Sequence, residues 1–109
     1  MPLPKRIKTK SEKADQRKRS PAHRAWIRGF ACSACGSTEA IECAHVRCGT
    51  DGGIGMKPSD RWTISLCKEC HQVQHLVGEK TFEKENNIDM KALAEEFFRK
   101  SPHRHKLET

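Results

Sequence analysis

The chain has 109 residues, a net charge of +7 and an apolar fraction of 35%, with a mean hydropathy of −0.81 and a pI near 9.3. That length allows one domain with tails, and so small an apolar fraction leaves a core that needs help to fold. No apolar run approaches 18 residues and the N-terminus has no secretory h-region, so neither a membrane span nor a cleaved signal is expected.

The charge is uneven. Residues 1–30 hold ten Lys and Arg against Glu12 and Asp15, while the rest of the chain is close to neutral. A basic arm on a neutral body is the electrostatic footprint of a nucleic-acid binder, although a charged tail also serves solubility. Residues 1–19 have almost nothing to bury and read as a disordered basic arm. Lys5, Arg6, Lys8, Lys10, Arg17, Lys18 and Arg19 are its DNA-binding candidates.

Ser20-Pro21 marks a helix start, a serine N-cap with proline in the first turn. The helix, about 21–28, is expected to present Ala22, Ala25 and Trp26 on one side, with Gly29 ending it. Cys32-Ser-Ala-Cys35 then forms a first knuckle. Glu39 to Val46 reads as a strand with Ile41, Cys43 and His45 on one side. A glycine-rich loop, Gly49 to Asp60, follows. Trp62 to Leu66 alternates as a second strand, with Trp62, Ile64 and Leu66 sharing a face.

Cys67-Lys-Glu-Cys70 is the second knuckle. It runs into a helix, about 70–77, on which His71 and His75 share a face while Val73, Leu76 and Val77 point elsewhere for packing. Residues 79–87 read as a short helix or turn. Asp89 caps a final helix, about 90–100, with Met90, Leu93, Ala94, Phe97 and Phe98 as its buried stripe. Pro102 is expected to end the ordered structure, leaving 101–109 as a polar tail and 20–100 as the folded domain.

Two C-x-x-C pairs supply the four thiolates of a structural zinc site at Cys32, Cys35, Cys67 and Cys70. The intervening 31 residues exceed the usual spacing, but doubling a loop adds only ~0.6 kcal/mol of closure entropy. Histidines directly after the second pair favour metal over disulfides, and hence a reducing, cytoplasmic compartment. His45, His71 and His75 remain over for a second site. Singly, each has a bland alternative: a core histidine at 45, a surface pair at 71 and 75, or a histidine joining the zinc. Together, a strand histidine, a loop carboxylate and an i, i+4 histidine pair point to a working metal.

Cys32-x-x-Cys35, Ala44-His45-Val46, Leu66-Cys67-x-x-Cys70-His71-x-x-x-His75 and the Gly-Met-Lys-Pro-Ser-Asp loop resemble the HNH endonucleases of the ββα-metal (His-Me finger) superfamily. The similarity is to the four-cysteine branch common in phages and prophages, and it covers about residues 20–100. It implies an α+β, zinc-stabilised, treble-clef-like ββα-metal domain with flanking helices. It also implies a metal-dependent DNA endonuclease: His45 as general base, and His71 and His75 as ligands of a catalytic Mg²⁺, Mn²⁺, Ni²⁺ or Zn²⁺. DNA is then the partner, with any phage or host recombination or packaging protein unknown. Two positions depart from the family pattern. Ala44 stands where a ligand Asp or His is usual, and Trp62 where an asparagine braces the loop. Asp60 is the nearest substitute, as third ligand or as brace. The rival readings are a non-catalytic zinc-finger module that binds nucleic acid and, more remotely, a thiol redox protein.

Overall fold

A computed structural model describes Pro4, residues 18–50 and residues 57–108. The basic candidates Lys5, Arg6, Lys8, Lys10 and Arg17 lie outside the described residues. Within them the fold is α+β: helix α1 (Pro21–Ile27), strands β1 (Ile41–His45) and β2 (Thr63–Cys67), helices α2 (Lys68–Val77), α3 (Glu79–Asn86) and α4 (Met90–Lys100), and a 3₁₀ turn at Arg104–Lys106. No described helix is long and apolar enough to cross a membrane.

The helices begin and end where their local chemistry dictates. Ser20 caps α1, its Oγ accepting from the His23 N–H at 3.1 Å. Asp89 caps α4 through the Ala92 N–H, and the Glu83 carboxylate takes the Met90 N–H. Such caps are each worth about 1 kcal/mol. Asn87 closes α3 with a φ of 53°, a left-handed position that asparagine tolerates. The stretch 79–87, open between helix and turn on sequence, is therefore a helix over Glu79–Asn86.

β1 and β2 pair antiparallel, Ile41 opposite Cys67 and His45 opposite Thr63. Ala44, Val46, Ile64 and Leu66 form the core with Phe82 of α3 and Met90 and Ala94 of α4. The alternation expected in β2 is real but hides no exposed face, because all five of its residues are buried. Its polar side is covered by α1 and the first knuckle. There the Ser65 Oγ donates to the Ala31 carbonyl and the Thr63 Oγ1 to the Asp60 carbonyl, so burial leaves neither hydroxyl unpaired.

Three sequence expectations about faces are corrected. α1 buries His23 and Ile27 rather than Ala22, Ala25 and Trp26. Trp26 is half-buried against Phe30 and Phe97 in edge-to-face contacts with centroids 4.8 Å and 6.0 Å apart, a geometry worth ~0.5–1.5 kcal/mol per pair. α2 buries Gln74, whose amide reaches the Met90 sulfur; of the three residues expected to pack, Val77 does so against the core, while Val73 and Leu76 are 40% and 84% exposed. Residues 101–108 continue the domain: Leu107 is fully buried and Ser101 nearly so. Pro102 therefore does not end the ordered structure, because Leu107 returns to cover apolar surface.

Ser101 matters because of His23. That imidazole is fully buried, with Nδ1 2.7 Å from the Ser101 Oγ and Nε2 3.3 Å from the Thr63 Oγ1. The Thr63 hydrogen is committed to the Asp60 carbonyl at 2.8 Å, so His23 donates from Nε2 and accepts the Ser101 hydroxyl at Nδ1. Burial holds the His23 pKa down at about 4. The unfolded chain takes up this proton near pH 6.5, and the folded one only near pH 4. Its contribution is thus complete above pH 6.5 and is lost as the pH falls towards 4, at up to about 1.4 kcal/mol per pH unit. Urea unfolding at several pH values in that window should show this slope in the wild type, and His23→Gln should flatten it.

Candidate metal knuckle and histidine groove

The first knuckle follows α1 and the second straddles the β2–α2 junction, where Cys67 is both the last strand residue and the helix N-cap. The four sulfurs lie within 4.8 Å of one another, and those of Cys35 and Cys67 are 3.7 Å apart. Tetrahedral zinc with ~2.3 Å bonds sets sulfurs about 3.8 Å apart, so the residues fit that ion and could hold a metal such as zinc. The Cys35 and Cys70 N–H groups point at the Cys32 and Cys67 sulfurs. Burial opposes ionisation of Cys32, yet amides from Cys35, Cys67 and Ala34 outweigh it and bring that thiol down to about 6. Cys70 is pushed up, by burial first and then by the three neighbouring thiols. Four thiols crowded so that they cannot all ionise alone is the condition a dication relieves.

A groove of about 830 Å³ opens on the other side of β1, lined by His45, His71 and His75 together with Arg19, Arg24, Arg28, Arg47 and Lys57. Glu42 and Glu79 are its acidic lining residues. The three histidines singled out by sequence thus share one wall. Asp60 takes a different place from the ligand position suggested for it. It is fully buried, with Oδ1 2.9 Å from the His45 Nε2 and Oδ2 accepting from the Ser20 N–H at 2.7 Å and the Arg24 Nη1 at 2.6 Å. Among the described residues, the cysteine tetrad is the one group of three or more side chains placed to hold a metal. Asp60 does not join His71 and His75.

Asp60 instead governs His45. Burial works against its charge, but the His45 hydrogen bond, the Ser20 amide and Arg24 together leave its carboxyl below the usual range. An ionised Asp60 can only accept, so His45 donates from Nε2, and Nδ1 is the ring nitrogen not engaged by Asp60. Of the two departures, Ala44 is fully buried in the core and Trp62 packs half-buried against it. Cys43 lines the groove, and burial raises its thiol to about 11, so it stays protonated.

The helix pair is also oriented. The His71 Nδ1–H donates to the Glu42 carboxylate at 2.8 Å, leaving Nε2 aimed at the His75 Nε2, 3.1 Å away. Two imidazoles bound to one ion at ~2.05 Å hold their nitrogens about 2.9 Å apart at an octahedral angle and about 3.4 Å at a tetrahedral one. The observed separation lies between the two, and it is also that of an N–H···N hydrogen bond between the rings. A carboxylate behind a ligating histidine is the usual way a tautomer is held for metal.

Sequence reasoning passed over Glu42, Arg24 and Arg28. The two arginines are four apart on a helix whose start was evident, so their shared face was legible. Glu42 carried no signal beyond lying three residues before His45. Lys18 and Arg19, singled out for DNA, flank the groove loop: the Lys18 carbonyl accepts from the Asp60 N–H, and the Arg19 guanidinium donates to the Pro58 and Lys57 carbonyls.

These features define a small α+β domain with a four-cysteine knuckle and a basic groove lined by histidines. Residues 4–101 match the family described as protein of unknown function (DUF968), and the chain belongs to that family. No curated protein and no solved structure matches it.

Proposed function

We propose that the protein is a metal-dependent DNA endonuclease of HNH type, built on a zinc-holding, treble-clef-like ββα-metal scaffold. The observation that carries this reading is the His45–Asp60 pair. It fixes the His45 ring through Nε2 on the wall of a basic groove that His71 and His75 also line.

In this reading Arg24, Arg28 and Lys57 hold backbone phosphates across the groove. His45 takes a proton from water at Nδ1 as the water oxygen bonds to phosphorus, and the bond from phosphorus to the 3′-oxygen breaks. The products are a 5′-phosphate and a 3′-hydroxyl, the leaving oxygen taking its proton from solvent water and His45 returning its own to solvent. His71 and His75 would hold the divalent ion, which when bound supplies stabilisation of the charge on the pentavalent state. Asp60 holds His45 in the tautomer that the step requires, and Glu42 does the same for His71.

Supercoiled plasmid incubated with the zinc-loaded protein and Mg²⁺, Mn²⁺, Ni²⁺ or added Zn²⁺ should be converted to nicked circles. The second reading, a non-catalytic zinc module that binds DNA through the same groove, is favoured by one observation. No third side-chain ligand accompanies His71 and His75 among the described residues. DNA binding with no nicking of any DNA form under any of these ions would establish the module and remove the nuclease.

A further inference from the structure

Two backbone amides on the groove rim make a contact that neither the knuckle nor the histidine site explains. The Arg47 N–H donates to the Glu79 Oε2 at 2.8 Å and the Cys48 N–H to the Glu79 Oε1 at 2.8 Å. One carboxylate thus bridges successive amides, one oxygen to each. We propose that these paired amides are a phosphate-binding site for the nucleic-acid backbone, and that in the free protein the Glu79 carboxylate fills it.

The inference rests on the nucleic-acid reading above and adds to it a specific subsite and an internal competitor. Consecutive amides converging on one point are an anion-binding arrangement, and two non-bridging phosphate oxygens can replace two carboxylate oxygens there. The turn does not need Glu79 to keep its shape. The Val46 N–H is bonded to the Trp62 carbonyl at 2.8 Å, and the Thr50 Oγ1 donates to the Val46 carbonyl at 2.7 Å and the Arg47 carbonyl at 2.9 Å. Gly49, with a φ of 73°, supplies the left-handed step that closes the turn. Glu79 does not cap its own helix, since Gly78 occupies that position without a side-chain bond.

Position completes the case. The amides lie two and three residues beyond His45, on the groove that also carries Arg24, Arg28 and Lys57. A phosphate seated on them belongs to the same strand track as one at His45. Glu79 reaches this spot from α3, the helix after the one that bears His71 and His75. Nucleic acid must therefore displace a carboxylate before it can use the rim, and Glu79 sets a threshold on binding.

The test is fluorescence-anisotropy titration of a short mixed-sequence duplex DNA with full-length, zinc-loaded protein carrying His45→Ala, so that the DNA stays intact. Adding Glu79→Gln should tighten binding roughly tenfold, the value of one charge-assisted contact. Glu69→Gln, the same charge change at an exposed site in the first turn of α2 and outside the groove, should change affinity less than about twofold. In parallel, ¹⁵N-correlated spectra of the protein without the Glu79 change should show the Arg47 and Cys48 amides shifting as DNA is added. An effect of Glu79→Gln no larger than that of Glu69→Gln, or Arg47 and Cys48 amides unmoved at DNA saturation, overturns the proposal and makes Glu79 a staple between turn and helix. Failure of every form to bind DNA overturns the nucleic-acid reading as well.

Discussion

A strong chelator is expected to unfold this protein in one cooperative step. Structural zinc in small fingers carries about 10–16 kcal/mol of apparent binding energy, and a domain of this size has a net stability of about 5–15 kcal/mol. The tetrad joins the segment after α1 to the β2–α2 junction, where the first knuckle is also held by the Ser33 N–H on the Ser65 carbonyl and the Ser65 Oγ on the Ala31 carbonyl. The core of Ala44, Val46, Ile64, Leu66, Phe82, Met90 and Ala94 has few large side chains. Cys35→Ser should behave as the chelated wild type does. Far-UV circular dichroism with a zinc-release assay measures both, with one zinc expected per chain. A fully folded protein free of metal would remove the structural role of the tetrad.

The second large effect is expected at His45. Loss of a general base typically costs ~10²–10⁴ in rate, so His45→Ala should lose nicking by that factor while zinc content and DNA affinity stay as in the wild type, with a modest fall in melting temperature because buried Asp60 loses a donor. Asp60→Asn separates positioning from chemistry. The amide oxygen can still accept from the His45 Nε2, but the charge that pairs with Arg24 is gone and the amide has a second way to face. A fall of about 10- to 100-fold in rate is expected, the usual scale for a residue acting through its neighbour, together with lower stability because Arg24 loses its partner. Equal rates for wild type and His45→Ala would exclude His45 as the base, whatever the fate of the fold.

Much of this architecture was legible in the chain because its signals are local. A Ser-Pro pair starts a helix by filling one orphan amide and removing another, and α1 begins there. C-x-x-C spacing folds a knuckle on its own, and the period of Met90, Ala94 and neighbours marks the buried side of α4. Asp89 is a helix start readable from residue type alone. What was not legible depends on partners distant in sequence. His23 is buried because a serine 78 positions away and a threonine 40 away satisfy its two nitrogens. Nothing in Pro-Ala-His-Arg-Ala-Trp distinguishes that histidine from an exposed one. Asp60 could be read as a ligand or a brace from its place in the loop. Only the convergence of Ser20, Arg24 and His45 on its two oxygens decides where it points. Leu76 fails in the opposite sense, an apolar residue at a plausible packing position that stands 84% exposed.

The contacts of His23 run on beyond it. The Ser101 hydroxyl donates to His23, His23 to Thr63, and Thr63 to the Asp60 carbonyl, while the Asp60 carboxylate receives the His45 proton. The hydrogens in this column therefore have a definite order, with every donor facing towards Asp60 from both ends. Neither hydroxyl can rotate without leaving a buried acceptor bare, and His23 cannot exchange its tautomer alone. In imidazole nitrogen spectra His23 should thus appear as a single, unaveraged Nε2–H form. The order of these hydrogens is held in the interior, since His23 and Asp60 are both fully buried.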